Sequence, residues 1–313
     1  MRLPARALPE DGLSRLLEAM KGRVLLADGA MGTQLQEAGL ESGGCGEAWN
    51  VDHPERVRAI QRAYAEAGSD CLITNTFGAG RIMLERHGEG DRVSAINEAG
   101  ARIAREALGP RGGFVLGDIG PFGGLMEPYG EIARSRVEQA FRQQARALVA
   151  GGVDAIIIET QTALEELGVA LAAAREAGAP VVIGSLAYDK MADEDEVRTM
   201  MGVSPEMAAE FMAARQVDIL ALNCGTGVDV AMAADVVRRY RRVSGLPVMA
   251  QPNAGQPVLE DFKVVYRDTP EQMAAELPEL LEAGAAIVGG CCGSTPAHIR
   301  RFRHILDGGE PRG

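Results

Sequence analysis

Ala285-Ala286-Ile287-Val288-Gly289-Gly290-Cys291-Cys292-Gly293-Ser294-Thr295-Pro296 runs from an apolar segment through paired glycines and adjacent cysteines to a Ser-Thr-Pro. The apolar run reads as a strand, the glycines as a turn, and Ser-Thr-Pro as a helix start. The same unit recurs along the chain: a short aliphatic run, a polar or glycine break, then a long Ala/Glu/Arg-rich segment with helical spacing. Strands are predicted at 24–28, 70–76, 114–119, 155–159, 181–186, 219–223, 247–251 and 285–289. Helical segments fall between them at 54–67, 93–108, 135–150, 163–177, 205–214, 228–243 and 270–283. Strict alternation argues for a parallel sheet, and eight repeats argue for a closed (β/α)8 TIM barrel over an open sheet. One α/β domain is expected over 23–313, since no Pro/Ser-rich linker divides the chain. Residues 1–22 are expected to form a helical extension, with Leu13, Leu16, Leu17 and Met20 on one face covering an end of the fold.

Composition narrows the function. With 313 residues, 46% hydrophobic and 24% charged, the chain has the balance of an ordinary globular protein. Five cysteines are too few for a disulfide scaffold. The first 23 residues carry scattered charges and no apolar core of a signal peptide, and no apolar run reaches the roughly 20 residues that span a bilayer. A cytoplasmic protein with reduced thiols is the expectation. The net charge of −12 argues against nucleic acid. Arg238, Arg239, Arg241 and Arg242 form the densest basic run and read as a solvated helix face. The longest atypical connection, 188–204 with its acidic cluster at 193–196, reads as a lid or contact surface.

Barrel chemistry sits at the C-terminal strand ends. There the chain places Asp28-Gly29-Ala30-Met31-Gly32-Thr33, Thr74-Asn75-Thr76-Phe77, Gly117-Asp118-Ile119-Gly120-Pro121, Glu159-Thr160, Asn223-Cys224, Pro252-Asn253-Ala254-Gly255 and Cys291-Cys292. An isolated Cys-Cys reads as a pair of small buried apolar residues. Cys224, at the end of the sixth strand, changes that reading, because a barrel brings it to the same rim as Cys291 and Cys292. Three thiolates with one open position form a catalytic type of zinc site. Cys71, at the opposite strand end, and Cys45, in a glycine-rich loop, read as non-ligands.

These segments, in this order, resemble the homocysteine S-methyltransferase family, above all the branch that forms the homocysteine-binding barrel of cobalamin-dependent methionine synthase. The resemblance runs from about Arg23 to Ile305. It implies zinc held by Cys224, Cys291 and Cys292, with Asn253 a candidate for the fourth position until substrate arrives. It also implies that Asp28 and Glu159 hold the amino-acid end of homocysteine, with Gly29, Thr76 and Asn223 in matching pocket segments. The implied reaction is methylation of homocysteine, bound as a zinc thiolate, to methionine. No general base is required, and the four histidines, His53, His87, His298 and His304, read as structural or solvated.

The methyl donor stays open between two routes. The chain ends soon after its barrel, so the donor is expected on another protein or as a small molecule. The first route is methylcobalamin on a corrinoid partner protein, favoured by the Thr-Asn-Thr-Phe and Pro-Asn-Ala-Gly segments. The second is a free onium donor such as S-methylmethionine, S-adenosylmethionine or betaine, which calls for aromatic faces. Trp49, Phe77, Phe122 and Tyr129 are the available rings, and Trp49 reads equally as a donor-site ring or a packing residue. Two other classes remain: a non-catalytic zinc- or thiol-binding protein, and a redox-active Cys291–Cys292 disulfide.

Overall fold

The computed structural model describes residues 14–191, 196–260 and 263–310. Eight strands form one parallel sheet: β1 (Leu25–Leu26), β2 (Cys71–Ile73), β3 (Phe114–Ile119), β4 (Ala155–Gln161), β5 (Val182–Leu186), β6 (Ile219–Asn223), β7 (Val248–Gln251) and β8 (Ile287–Val288). Their order is β1-β8-β7-β6-β5-β4-β3-β2, the sequential winding of a (β/α)8 barrel. The seam between β1 and β2 is closed largely by side chains. The Asp70 N–H donates to the Leu26 carbonyl at 2.6 Å, and the Asp70 carboxylate accepts from the Leu26 N–H at 2.9 Å. One turn higher, the Asp28 carboxylate accepts from the Ile73 N–H at 2.8 Å. This seam is why the ladders of β1 and β2 are shorter than the 24–28 and 70–76 predicted: here side chains take the place of backbone pairing.

A helix follows each strand: Pro54–Ala67, Val93–Leu108, Arg134–Ala150, Leu164–Glu176, Pro205–Ala214, Val230–Val243, Pro270–Glu282 and Pro296–Leu306. Their starts are set by local chemistry. Ser204, Asp229 and Thr269 each accept a hydrogen bond from the first helical turn, and proline occupies the first turn of four of the eight, which satisfies or removes donors that the helix cannot. Outward strand residues such as Leu72, Val115, Ile156, Ile158, Leu220 and Val288 pack under these helices. Alternate residues point inward, as the two-residue strand period requires. Leu25, Cys71, Phe114, Leu116, Ile157, Ile183, Ile219, Met249 and Ile287 fill the barrel interior as an apolar layer. Above that layer the inward register turns polar towards the C-terminal ends of neighbouring strands, with Asp118, Glu159, Ser185, Asn223 and Gln251. The switch from apolar to polar makes the floor of the site.

The helix Arg15–Gly22 precedes the barrel, capped by Ser14, and Leu16 packs into the interior layer next to Leu25 and Phe114. Leu13 of the predicted face lies outside the described residues. Two antiparallel hairpins interrupt the strand–helix rhythm, Asp189–Lys190 with Val197–Arg198 after β5, and Val258–Glu260 with Lys263–Val265 after β7. The first occupies the connection read as a lid or contact surface, while residues 193–195 of its acidic cluster lie outside the described residues. Arg238 and Arg239 of the basic run pair with Glu279 and Glu206 of neighbouring helices. His298 serves as a helix-capping partner of Thr295, and its ring also meets the Asp268 carbonyl at 2.9 Å. Among the described residues no helix is long and apolar enough to cross a membrane.

Candidate active site

Asn223 ends β6, so Cys224 leaves the strand with a left-handed φ of 57°, which aims its side chain over the barrel mouth. Cys291 and Cys292 follow β8, where Gly290 and Gly293 let the chain turn. A Cβ on Gly290 would lie 2.3 Å from Ser294 Oγ, so glycine is needed for this close approach. The Cys291 N–H donates to the Pro252 carbonyl at 2.8 Å, and the Ala254 N–H to the Cys292 carbonyl at 2.9 Å, which ties the cysteine turn to the end of β7.

The result is one cluster: the sulfurs of Cys224, Cys291 and Cys292 all lie within 4.8 Å of one another. The Cys224–Cys292 sulfurs are 3.8 Å apart and the Cys291–Cys292 sulfurs 4.0 Å. Tetrahedral zinc with Zn–S near ~2.3 Å sets its sulfurs ~3.8 Å apart, close to the two spacings at Cys292, so the cluster could hold one zinc ion. Hydrogen bonds from Cys224 and Cys291 pull the Cys292 thiol far below its ordinary range, whereas Cys291 is driven well above it by its bonds to Cys224 and Cys292. Tyr266 packs against Gly293 beside Cys292, a neighbour not anticipated from sequence. Asn253 donates to the Gly225 carbonyl at 2.8 Å, and its Oδ1 is buried with no partner.

Beside the thiols opens a cavity of about 420 Å³, lined among others by Asp28, Gly29, Glu47, Thr76, Phe77, Asp118, Glu159 and the three cysteines. Among the described residues no Lys, Arg or His side chain lines it. Burial, and next the partly offsetting Ile73 N–H, leave the Asp28 carboxyl well above the usual range, and its Oδ1 has no partner. Burial, followed by Glu159, does the same to Asp118, whose Oδ1 is also unpartnered. Glu159 is pushed up to about 7 by burial and by the nearby Cys292. Buried acceptors with no donor and no counter-charge form a receptacle for cations. Asp118 was quoted within a motif but not nominated. The signal was available, because Asp118 and Glu159 hold the same inward register two residues beyond Leu116 and Ile157.

The remaining nominated residues divide. Gly29 lines the cavity, and a Cβ there would lie 2.6 Å from Ser294 Oγ and 2.9 Å from the Tyr64 ring. Thr76 lines it too, though its hydroxyl is engaged with Thr74 at 2.6 Å and the Asp118 carbonyl at 2.8 Å. Asn223 is outside the lining, its amide bonded to Thr160, Ser185 and Cys291. Trp49 is a packing residue, in the core under Arg56 and edge-on to His53. Phe122 is buried against Phe141, and Tyr129 is 76% exposed, which leaves Phe77 at the cavity wall. Cys71 is in the interior apolar layer and Cys45 beside Glu47, away from the thiol cluster.

A homocysteine S-methyltransferase family model matches residues 25–306. The chain belongs to the homocysteine S-methyltransferase family. Within the curated members of that family's wider circle, it is 34% identical over 299 residues to a methionine synthase of Mycobacterium tuberculosis (strain ATCC 25618 / H37Rv), covering 91% of this chain and 25% of that protein. A Mycobacterium leprae (strain TN) methionine synthase is 34% identical over 316 residues, 95% of this chain and 26% of that protein. The chain thus spans about a quarter of the length of these relatives. In fold it matches the metallated form of the homocysteine methyltransferase MmuM from Escherichia coli, with TM-score 0.74, 22% identity, and 93% and 99% of the two chains covered. Pyruvate carboxylase from Rhizobium etli shares the barrel at TM-score 0.56 and 16% identity, over 98% of this chain and 31% of that one. Fold alone therefore does not decide the chemistry of a homocysteine S-methyltransferase; the rim residues do.

One rim contact makes a test of the electrostatics. Glu166 Oε1 accepts from the Phe122 N–H at 2.8 Å and so pins the loop that follows β3, and burial pushes its carboxyl up to about 7. A carboxyl raised on folding is most favourable while protonated, so its cost grows as pH rises from the ordinary carboxylate range through about 7. Glu166→Gln keeps the acceptor and removes that cost. Urea denaturation should find the variant gaining about 1–2 kcal/mol on wild type between pH 5 and pH 8. A gap independent of pH would contradict this assignment.

Proposed function

We propose that this chain is a zinc-dependent S-methyltransferase that takes homocysteine as acceptor and forms methionine. The reading is carried by one juxtaposition: three thiols spaced for one metal ion open onto a cavity whose polar wall is carboxylates without a counter-cation. Cys224, Cys291 and Cys292 would hold the zinc, and Asn253, with its unpartnered Oδ1, would fill the fourth position in the absence of substrate. When bound there, zinc supplies a Lewis acid that keeps a substrate thiol deprotonated at neutral pH. Asp28 and Glu159 receive the ammonium group of the amino acid, and the Gly29 backbone and Thr76 shape the wall beside it. Fixing both ends of a short thiol amino acid holds its sulfur at the rim, facing a donor, with water limited by the depth of the cavity.

For the donor, we infer methylcobalamin carried by a partner protein or module. The similarity to methionine synthases over almost the whole chain supports it. Among the described residues that line the cavity Phe77 is the one aromatic side chain, and a single lining ring does not enclose an onium group. The test is to assay the zinc-loaded protein with homocysteine and, in turn, methylcobalamin, a methylcorrinoid protein, S-methylmethionine, S-adenosylmethionine and betaine. Methionine formation is expected with the corrinoid donors. Turnover with an onium donor alone would move the assignment to the small-molecule route, and absence of turnover with every donor would favour a zinc- or thiol-binding role.

A further inference from the structure

The side chain of Asn223 lies at the inner end of β6 and is 1% exposed. Its Oδ1 accepts from the Thr160 N–H at 3.0 Å and from Ser185 Oγ at 2.6 Å. Its Nδ2 donates to Thr160 Oγ1 at 2.7 Å and faces Cys291 Sγ at 3.9 Å. An amide offers two donors and accepts at one oxygen, so this one is fully committed inside the protein and has nothing left for a ligand. Its contacts join four neighbouring pieces of the barrel mouth: the ends of β4, β5 and β6, and the turn that follows β8.

Two features mark this junction as a set point. Thr160 and Cys224 both have a left-handed φ of 57°, a conformation that side-chain-bearing residues adopt only where the surroundings fix it. The β4–β5 register also shifts between Ile158 and Gln161, the stretch that holds Glu159 and Thr160. Thr160 is bonded to the Asn223 amide twice, once through backbone and once through side chain. Glu159, its neighbour, faces the cavity, and Cys224, the neighbour of Asn223, belongs to the thiol cluster together with Cys291.

We propose that Asn223 is a positioning residue that sets the distance between the thiol cluster and the carboxylate end of the cavity, acting through Cys291 on one side and through Thr160 on the other. The inference rests on the zinc and homocysteine reading above, and it assigns Asn223 a role other than the direct substrate contact expected from sequence. Outer partners that orient metal ligands typically alter metal affinity about 10–100-fold when removed.

The two arms of the amide can be separated by substitution. Asn223→Asp preserves the oxygen that Thr160 and Ser185 address, and Thr160 Oγ1 can turn to donate to the second oxygen. What it removes is the donor toward Cys291, replaced there by an oxygen that repels a thiolate. Asn223→Ala removes both arms. Zinc affinity, measured by chelator competition on purified protein, is expected to fall about 10–100-fold in Asn223→Asp, with the homocysteine KM of the zinc-saturated variant within about threefold of wild type. Asn223→Ala is expected to lose both zinc affinity and homocysteine KM, by about tenfold or more each. Circular-dichroism melting of the metal-free proteins accompanies each measurement, so that a general loss of stability is seen separately.

Wild-type zinc affinity in both variants would overturn the proposal, as would an Asn223→Asp variant that weakens zinc and homocysteine equally. If Asn223→Ala does not fold, Asn223→Asp carries the test alone. Because zinc affinity is read without turnover, a wild-type protein that holds zinc but methylates nothing would sink the functional reading and not this one.

Discussion

Cys291→Ser is expected to abolish zinc binding and to lower methyl transfer by at least about 10³-fold, the loss that about 4 kcal/mol of transition-state stabilisation represents. Serine is nearly isosteric, but its hydroxyl does not ionise near neutrality, and its oxygen is a harder, shorter-reaching ligand than thiolate sulfur. The three sulfurs form one cluster, and the other two cysteines, Cys45 and Cys71, stand outside it. Cys45→Ser is the matching control: Cys45 lies beside Glu47, outside the cluster, and its loss should leave zinc at one per chain. Elemental analysis and a methionine-formation assay on both variants read the prediction. Full zinc in Cys291→Ser would mean that the metal is held elsewhere.

The second large effect is expected at Glu159. Glu159→Gln removes the charge that faces a substrate ammonium while leaving shape and zinc ligands intact. A charge-assisted hydrogen bond is worth about 1.5–3 kcal/mol, so kcat/KM for homocysteine should fall about 10–100-fold, mostly through KM, with zinc content unchanged. The pH dependence has a definite sign. Burial, and next the nearby Cys292, push the Glu159 carboxyl up to about 7, and an ammonium group needs the ionised form. Wild-type affinity for homocysteine should therefore weaken as pH falls below about 7, and this component should vanish in Glu159→Gln. A variant with unaltered KM, or one that loses its zinc, would remove Glu159 from the amino-acid end.

Much of the barrel was readable from the chain because its period is long and repeated. Each strand of four or more residues, such as Phe114–Ile119 or Ile219–Asn223, stands out against the helix that follows. The two hairpins did not: ladders of two or three residues, Asp189–Lys190 and Val258–Glu260 among them, are too short to show alternation. The ends of β1 and β2 were overextended because Asp70 and Asp28 close the seam with side chains, an arrangement that strand propensity does not register. The thiol cluster was visible because cysteine is rare here and the strand ends are ordered by the barrel. Asp118 was hidden by its own motif, where neighbouring glycines and proline drew the reading. Trp49 could not be placed from sequence, since a ring stacked under Arg56 and a ring facing a ligand have the same local spelling.

The site has a single electrostatic logic. A cavity lined by Asp28, Glu47, Asp118, Glu159 and three cysteines, with no basic side chain in its wall among the described residues, gathers acidic groups that call for positive charge. In the proposed reading a divalent ion at the sulfurs and an ammonium group at the carboxylates would supply it at the two ends, the ion with release of protons from the raised Cys224 and Cys291 thiols and the ammonium group with release from the raised carboxyls.

Zinc K-edge X-ray absorption on the reduced, zinc-loaded protein, with and without homocysteine, tests this account most directly. Three sulfur ligands near ~2.3 Å and one lighter atom are expected without homocysteine, and four sulfurs with it. Zinc with fewer than three sulfurs, or a sulfur count that homocysteine does not change, would contradict the proposed site.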